Sequence, residues 1–235
     1  MIASLGETRN KRSWVEEGIV STDSPASDVA FTASVKAVQE RRGSRKTYRR
    51  MEERSGWETR ITPELAAFLA ERDSAYLGTA NSSGQPYIQH RGGPKGFIRI
   101  LDDRTLAIAD FVGNRQYFTT GNLAENDRAF LFLMDYAHRH RVKIWGRARV
   151  VENDAELLAK LMPEGYNARP EQAILFTIEA WDVNCQRHIP QKFDARDVAV
   201  TVEKLEQQVV ELEAENKRLK EALIRGRKIE CQRAS

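Results

Sequence analysis

The chain has 235 residues, 41% of them hydrophobic and 30% charged, which is the composition of a globular protein. Its length suits one barrel-sized domain with accessory segments. With 37 basic and 34 acidic residues the formal net charge is only +3. The overall charge therefore gives no reason to expect nucleic-acid binding. Only Cys185 and Cys231 are present, so cysteines alone build neither a disulfide framework nor a four-ligand structural metal site.

A membrane partner is not expected, because the sequence has no apolar run of about 18 residues. The segment from Met1 to Asn10 also lacks the basic and then apolar order of a secretory signal. We therefore expect a soluble, cytoplasmic protein.

Residues 1–60 mix serine, arginine and glutamate with few apolar side chains and are predicted to form an arm that is partly helical or irregular. Val35 and Val38 are spaced to line one face of a short amphipathic helix. The basic run from Arg41 to Arg50 could contact phosphate groups, but charge runs in extended arms are usually solvated or paired with acidic neighbours. The run is therefore not assigned a nucleic-acid partner.

A helix is predicted to begin at Thr62-Pro63-Glu64, because threonine can cap a helix, proline suits its first turn and glutamate favours the positive end of its dipole. After this helix the hydrophobic period changes to two, which indicates strands, and one more short helix is expected at residues 154–161. Successive short strands with few helices are typical of a barrel. The segments of strand composition are residues 75–80, 86–91, 96–101, 105–109, 129–134, 141–151 and 173–178.

The C-terminal region carries a heptad repeat, with valine or asparagine at the a positions from 202 to 216 and leucine at the d positions from 205 to 219. This pattern favours two parallel strands, and a lone Asn216 at an a position pairs best with its own copy. Glu215 at g and Lys220 at e would attract each other across such an interface. We predict a parallel dimeric coiled coil over residues 195–226 and a disordered tail over residues 227–235. The alternative is a lone helix packed on the barrel. The repeat consists of Val202, Leu205, Val209, Leu212, Asn216, Leu219 and Leu223.

Two segments are candidates for ligand binding. Residues 110–116 follow a strand and lead toward a helix, so that backbone N–H groups and the Arg115 guanidinium could converge on a phosphate. The alternative is a simple turn with a surface arginine. Residues 89–96 combine polar, cationic and glycine residues at a strand end, which would let a planar ligand approach the backbone; the alternative is a plain glycine loop.

No metal site is predicted. His138 and His140 could share one face of a strand, but two histidines without a carboxylate make a poor site. Cys185 and His188 could supply half a zinc site, but the sequence has no second pair nearby. Because spacing also supports no catalytic triad or dyad, we expect any chemistry to be that of a cofactor.

An ordered series of motifs extends over residues 61–193 and resembles the pyridoxamine 5'-phosphate oxidase-like family of FMN-binding split-barrel proteins. The resemblance implies a mainly β (α+β) fold. It implies a six-stranded antiparallel split β-barrel over residues 61–194, with short flanking helices and the coiled-coil helix after it. It further implies FMN as the cofactor and a homodimer, because the site of the family lies at the subunit interface. The motifs are the Thr-Pro-Glu helix start, Tyr76 to Ala80, Gly84 to Pro86, Gly113 to Gln116, Leu123 to Ala129 and Val142 to Ala148.

The resemblance also implies which residues bind the FMN phosphate. The phosphate-binding Ser-Arg-Lys segment of the oxidase matches Asn114, Arg115 and Gln116, which keep the arginine but lack the lysine. The strand before it, whose arginine also reaches the phosphoryl end, matches residues 89–92.

Other positions are matched to the flavin ring. Arg141 corresponds approximately to a glutamine that contacts the ring, and Trp181 with Arg187 preserves the spacing of two residues that the second subunit contributes. The residues assigned to the cofactor are Gln89, His90, Arg91, Gly92, Asp110, Phe111, Asn114, Arg115, Gln116, Arg141, Lys143, Trp181 and Arg187.

These observations predict an FMN-dependent oxidoreductase that acts on an unidentified small molecule and is related to the oxidase without being that enzyme. A non-catalytic flavin-nucleotide binding or sensing module is the alternative, and a deazaflavin or haem could replace FMN. A DNA-binding regulator is disfavoured, because a basic zipper needs its basic helix to continue directly into the heptads, and Pro190, Asp194 and Asp197 interrupt it.

Overall fold

The computed structural model describes residues 24–54, 56–183 and 186–233. The predictions made for residues 1–23 of the arm, for Cys185 and for residues 234–235 of the tail lie outside the described residues. The chain divides into two compact units. The first comprises Met1–Leu133 and Val142–Val183, and the second comprises Met134–Arg141 and Asn184–Ser235.

The described residues form one 3₁₀ helix, six α-helices and seven strands. The 3₁₀ helix is Ala26–Val29. The α-helices are α1 Ala33–Arg41, α2 Arg45–Arg54, α3 Pro63–Ala70, α4 Phe118–Glu125, α5 Ala155–Leu161 and α6 Ala195–Arg233. The strands are β1 Ser74–Ala80, β2 Pro86–Gly92, β3 Ile98–Ile100, β4 Thr105–Phe111, β5 Arg128–Asp135, β6 His140–Glu152 and β7 Pro170–Val183.

The strands form one curled antiparallel half-barrel sheet in the order β2-β1-β5-β6-β7-β4-β3. The predicted fold class is confirmed, but the sheet has seven strands where six were expected. Each of the seven predicted strand segments forms a strand of its own, and β3 is a three-residue edge strand that pairs with β4 alone. Strand β5 shows the expected alternation, with Ala129, Leu131 and Leu133 buried.

Helix α3 begins where the sequence predicts. The Thr62 side chain accepts a hydrogen bond from the backbone N–H of Leu65 at 3.3 Å, and Pro63 occupies the first turn. Leu65 and Leu69 are each 1% exposed and belong to the main core of the barrel. The cap and the apolar face together explain why this short segment is helical.

The described part of the N-terminal arm, residues 24–54 and 56–60, contains the 3₁₀ helix, α1 and α2, and it contacts the barrel. The indole rings of Trp57 and Trp145 stack with centroids 4.6 Å apart, and Glu58 forms an isolated antiparallel bridge with Trp181. Helix α2 includes Arg45 to Arg50, so most of the basic run is helical and not extended. Arg45 is buried and pairs with Glu52, so this cation is not available to a phosphate backbone.

The second unit contains the long helix α6, which continues to Arg233. Residues 227–233 are therefore helical, whereas the sequence predicted a disordered tail. The segment after Gly226 contains no proline and consists mostly of good helix formers, and one glycine costs a helix only about 1 kcal/mol. None of the helices in the described parts of the chain is long and apolar enough to cross a membrane.

The loop between β5 and β6 also differs from the sequence expectation. His138 lies in a turn, where its ring Nδ1 is 2.9 Å from Asp135 Oδ2, and only His140 lies on strand β6. The two histidines therefore do not share a strand face. Asp135 ends the preceding strand by accepting the backbone N–H of His138 at 3.0 Å.

Gly146 is a position where any side chain must disturb the sheet. The register of β6 and β7 shifts between Trp145 and Gly146, and a Cβ atom at Gly146 would lie against the carbonyl oxygen of Thr177 and 2.6 Å from Phe176 Cε1. Since Phe176 is fully buried, neither neighbour can move away easily.

We expect Gly146→Ala to lower the free energy of unfolding by about 3 kcal/mol, the upper part of the range for overpacked sites. The matched control is Gly121→Ala, where the new Cβ meets nothing within 4 Å inside helix α4 and stability should rise by up to about 1 kcal/mol. Urea denaturation of both variants measures the difference, and equal stabilities would contradict the packing explanation.

Candidate functional site

A cavity of about 270 Å³ in the first unit lies between β2, the end of β4, the loop after β4, the start of α4 and the start of β7. Seven of the thirteen residues assigned to the cofactor from the sequence line it: Gln89, Arg91, Asp110, Phe111, Asn114, Arg115 and Gln116. The other lining residues are Tyr87, Gly113, Tyr117, Phe118, Thr119, Thr120 and Glu171. The structure thus brings both predicted ligand-binding segments to one place.

Strand β2 contributes alternate residues to the cavity. Gln89 and Arg91 line it together with Tyr87, whose hydroxyl donates to Gln89 Oε1 at 3.2 Å. His90 does not line the cavity, because neighbouring residues of a strand point to opposite faces. Its ring instead packs edge to face against the ring of Tyr76, with the two centroids 5.7 Å apart. Gly92 is also outside the lining. His90 and Gly92 therefore do not line this cavity, and their contacts with a ligand stay predictions.

Arg91 and Asp110 form an ion pair at the centre of the cavity wall, through Arg91 Nη1 and Asp110 Oδ1. Their side chains are only 10% and 13% exposed. The Gln172 amide donates to the other carboxylate oxygen, Asp110 Oδ2, at 2.9 Å, and to Thr120 Oγ1 at 2.9 Å. Asp110 is thus held from two sides, and it fixes the guanidinium of Arg91.

The Nε atom of Arg91 is buried and has no hydrogen-bond partner among the described residues. An unpaired buried donor of a charged group is costly, so such atoms usually meet a ligand or a water molecule. The same feature occurs at Arg99, Arg104 and Arg141, which do not line the cavity, so this atom alone does not identify a ligand.

The loop after β4 has an unusual backbone. Arg115 and Tyr117 have φ angles of 59° and 53°, in the left-handed region that non-glycine residues rarely adopt. The loop is stabilised by Asn114, whose side-chain oxygen accepts the backbone N–H of Gln116 at 3.3 Å. Arg115 is exposed and makes no ion pair with any residue that the structure describes. Its positive charge is therefore available to a ligand.

Helix α4 begins at Phe118, slightly later than residues 110–116 suggested, and no side chain caps its first turn. The first N–H groups of a helix have no partner within the helix, and its N-terminus carries a partial positive charge. Phe118, Thr119 and Thr120, the first three residues of α4, line the cavity, so the positive end of this helix lies beside it.

Tyr117 and Glu171 close one side of the cavity. The Tyr117 hydroxyl donates to Glu171 Oε1 at 2.8 Å. This hydrogen bond, with some desolvation and the nearby negative charge, raises the pKa of the Tyr117 phenol above its ordinary value. The phenol therefore remains a hydrogen-bond donor throughout the neutral pH range.

Four of the predicted cofactor residues lie elsewhere. Lys143 pairs with Asp182 at 3.1 Å and lies over the rings of Trp57 and Trp145. Trp181 is 8% exposed in the core of its own barrel, and its indole N–H donates to the carbonyl oxygen of Arg60 at 2.8 Å. A contact of Trp181 with a ligand in another subunit stays a prediction. Arg141 and Arg187 belong to the second unit.

Sequence reasoning missed several residues of the site. Tyr87 could have been found, because it shares the period-two face of Gln89 and Arg91. Glu171 and Gln172 could not, because they come close to Asp110 only through the antiparallel register of β4 and β7, in which Gln172 is the partner of Asp110. No sequence signal gives that register in advance.

A metal centre is not among the features of the cavity. Within residues 24–54, 56–183 and 186–233, no three or more histidine, cysteine, aspartate or glutamate side chains are grouped so that they could hold a metal ion.

These features define a curled antiparallel half-barrel protein with an arginine-lined cavity at its strand ends. Residues 61–185, more than half of the chain, match the protein family described as pyridoxamine 5'-phosphate oxidase. The chain belongs to the pyridoxamine 5'-phosphate oxidase family, which confirms the resemblance seen in the motifs. No curated protein matches the sequence.

Several solved structures are similar in fold. HupZ from Group A Streptococcus shares 20% identity, with 56% of this chain and 99% of that chain covered and a TM-score of 0.44. An FMN-binding protein from Syntrophomonas wolfei shares 15% identity, with coverage of 65% and 97% and a TM-score of 0.41. The heme storage protein HutZ from Vibrio cholerae shares 16% identity, with coverage of 53% and 94% and a TM-score of 0.36. At these scores the similarities identify no ligand for this chain.

We expect Glu171→Gln to lower the pKa of Tyr117, because the substitution removes the negative charge that disfavours the phenolate. Ultraviolet titration of tyrosinate measures the change, with Tyr117→Phe identifying the signal. The folded-state pKa is raised, so the stabilisation from this contact is complete below the ordinary tyrosine pKa and is lost as the pH rises through the folded value. Glu179→Gln, which removes a carboxylate paired with Arg147, should leave the Tyr117 pKa unchanged. A Glu171→Gln protein with the wild-type titration would contradict the assignment.

Proposed function

We propose that this protein binds flavin mononucleotide, with the phosphate of the nucleotide in the cavity between β2, β4 and the start of α4. Family membership supports a phosphate-containing ligand. The observation that carries the proposal is the pair of arginines in the cavity lining: Arg91, which Asp110 holds in place, and Arg115, which is exposed.

The donor set fits a phosphate monoester. The guanidinium groups of Arg91 and Arg115 supply positive charge, and the uncapped first turn of α4 belongs to the cavity lining. The negative charge of Asp110 opposes an anion, but Arg91 and Gln172 already bind both of its carboxylate oxygens. The Asp110 carboxylate therefore serves to position Arg91.

The cavity in one chain is too small to enclose a whole FMN molecule. Its volume of about 270 Å³ is at the lower limit of about 300 Å³ for pockets that enclose a whole small ligand. We infer that the cavity holds the phosphate end, and that the flavin ring lies outside it and is covered by a second copy of the chain. On the outer face of the sheet, Tyr76 and Ile88 are 38% and 68% exposed, which supports a homodimer formed through the barrel.

The activity proposed for the complex is that of an FMN-dependent oxidoreductase with a small-molecule substrate. Bound flavin supplies the electron-transfer chemistry, and the protein supplies binding, orientation and exclusion of water. Flavin binding without turnover is the second candidate. It is favoured by Gln116, which stands where the resemblance places a lysine in the oxidase, so that one phosphate-binding cation is absent. Ring contacts by Arg141 and Arg187 remain predictions.

We expect Arg115→Ala to weaken FMN binding about tenfold or more, since each tenfold change corresponds to about 1.4 kcal/mol and a charged hydrogen bond contributes at least that much. Quenching of flavin fluorescence measures the affinity. Riboflavin, which lacks the phosphate, should bind equally weakly to the wild type and to the variant. Arg149→Ala is the matched control, because Arg149 is also an exposed arginine, on β6, and does not line the cavity. An Arg115→Ala protein that binds FMN with wild-type affinity would refute the anchoring role.

The absorption spectrum of the protein as purified distinguishes the possible cofactors, and a flavin spectrum is expected in preference to that of a deazaflavin or of haem. Turnover is then tested by reducing the bound flavin anaerobically with nicotinamide nucleotides and following its reoxidation by added acceptors. Reoxidation faster than that of free FMN supports an oxidoreductase. Reduction and reoxidation at the rates of free FMN would support the binding module.

A further inference from the structure

Helix α6 carries an exposed apolar face that we call the α6 seam. Its apolar members from Val202 to Leu223 are 45–64% exposed, so no other part of the described chain covers them. Asn216 interrupts the seam with a single amide group, in a shallow groove that Val209 and Leu212 also line. The α6 seam consists of Val198, Val202, Leu205, Val209, Leu212, Asn216, Leu219 and Leu223.

We propose that the α6 seam binds the α6 seam of a second copy of this chain, as a parallel, in-register, two-stranded coiled coil. The inference is independent of flavin binding. The repeat is 3.5 residues and continues for more than three heptads, long enough for a coiled coil. The d positions from Leu205 to Leu219 are leucine, and the a positions before Asn216 are valine, the combination that favours two parallel strands.

Asn216 indicates which helix binds the α6 seam and whether the two helices run parallel or antiparallel. In a parallel, in-register pair each a position meets the same a position of the partner, so the two Asn216 amides can hydrogen-bond to each other. In an antiparallel pair an a position meets a d position, and Asn216 would face an apolar side chain with its amide unpaired. A second copy of the chain supplies the matching asparagine by symmetry.

Charge on the borders of the seam agrees with this arrangement. Glu215 at g of one helix would lie beside Lys220 at e of the other, and the two-fold axis gives this attraction twice. The face opposite the seam is mainly charged, with Glu203, Lys204 and Glu211 among its residues, which suits contact with water. Val200, Val210 and Ile224 are also exposed and lie outside the seam, but they do not continue its heptad repeat.

Because the barrel is itself proposed to dimerise, the mass of the protein alone cannot test the seam. We therefore use site-specific disulfide formation in the full chain, with Cys185→Ser and Cys231→Ser as the background. Leu205→Cys places a thiol at a d position, which meets its own copy only in the parallel, in-register pair. Gln207→Cys, two residues away at an outward-facing f position, is the matched control.

Under mild oxidation we expect Leu205→Cys to form a covalent dimer and Gln207→Cys to remain largely uncrosslinked. Light scattering of the uncrosslinked wild-type chain should give twice the chain mass of 26.8 kDa. Asn216→Leu should reduce the crosslinking of Leu205→Cys, because without the asparagine other registers and orientations become accessible. Circular dichroism verifies that each variant is folded.

Three results would overturn the proposal: equal crosslinking at positions 205 and 207, no crosslinking at either, or the mass of a single chain. Loss of FMN binding with intact crosslinking at position 205 would refute only the proposed cofactor. Intact FMN binding without that crosslinking would refute only the seam.

Discussion

The ion pair between Arg91 and Asp110 joins strands from the two sides of a single sheet. In the sheet order, β1, β5, β6 and β7 lie between β2 and β4. Neighbouring strands are about 4.8 Å apart, so in a flat sheet these two residues would be separated by about 24 Å. Their contact therefore requires the curl of the half-barrel, and the cavity exists only because the curl brings β2 and β4 together. The packing of the core and the geometry of the site thus depend on the same curvature.

The local parts of this arrangement can be predicted from the sequence. The Thr62 cap, the alternation along β5 and the polar segments after β4 follow from propensities and periods that act within a few residues. The heptads likewise define the long C-terminal helix, although not its end at Arg233. These features need no knowledge of which strands are neighbours.

The non-local parts could not be predicted. Gln172 supports Asp110 because β4 and β7 are paired in one particular register, and shifting that register by one residue would turn the Gln172 side chain away. Trp181 is a second example, because its spacing along the chain does not indicate that its indole is buried in the core and donates to the carbonyl oxygen of Arg60. Spacing along the chain gives the residue types at a site, while burial decides which of them can reach it.

The stacking of Trp57 on Trp145 affects how this protein can be observed in solution. One ring belongs to the N-terminal segment and the other to β6, and neither lines the cavity. Trp181 does not line it either. Emission from these three tryptophans, the ones that the structure describes among the four of the sequence, will therefore respond to detachment of the segment that carries Trp57 from the sheet, and a ligand in the cavity will affect it chiefly through energy transfer. Emission from these tryptophans thus reports on the attachment of that segment, while occupancy of the cavity is followed by a signal of the ligand itself.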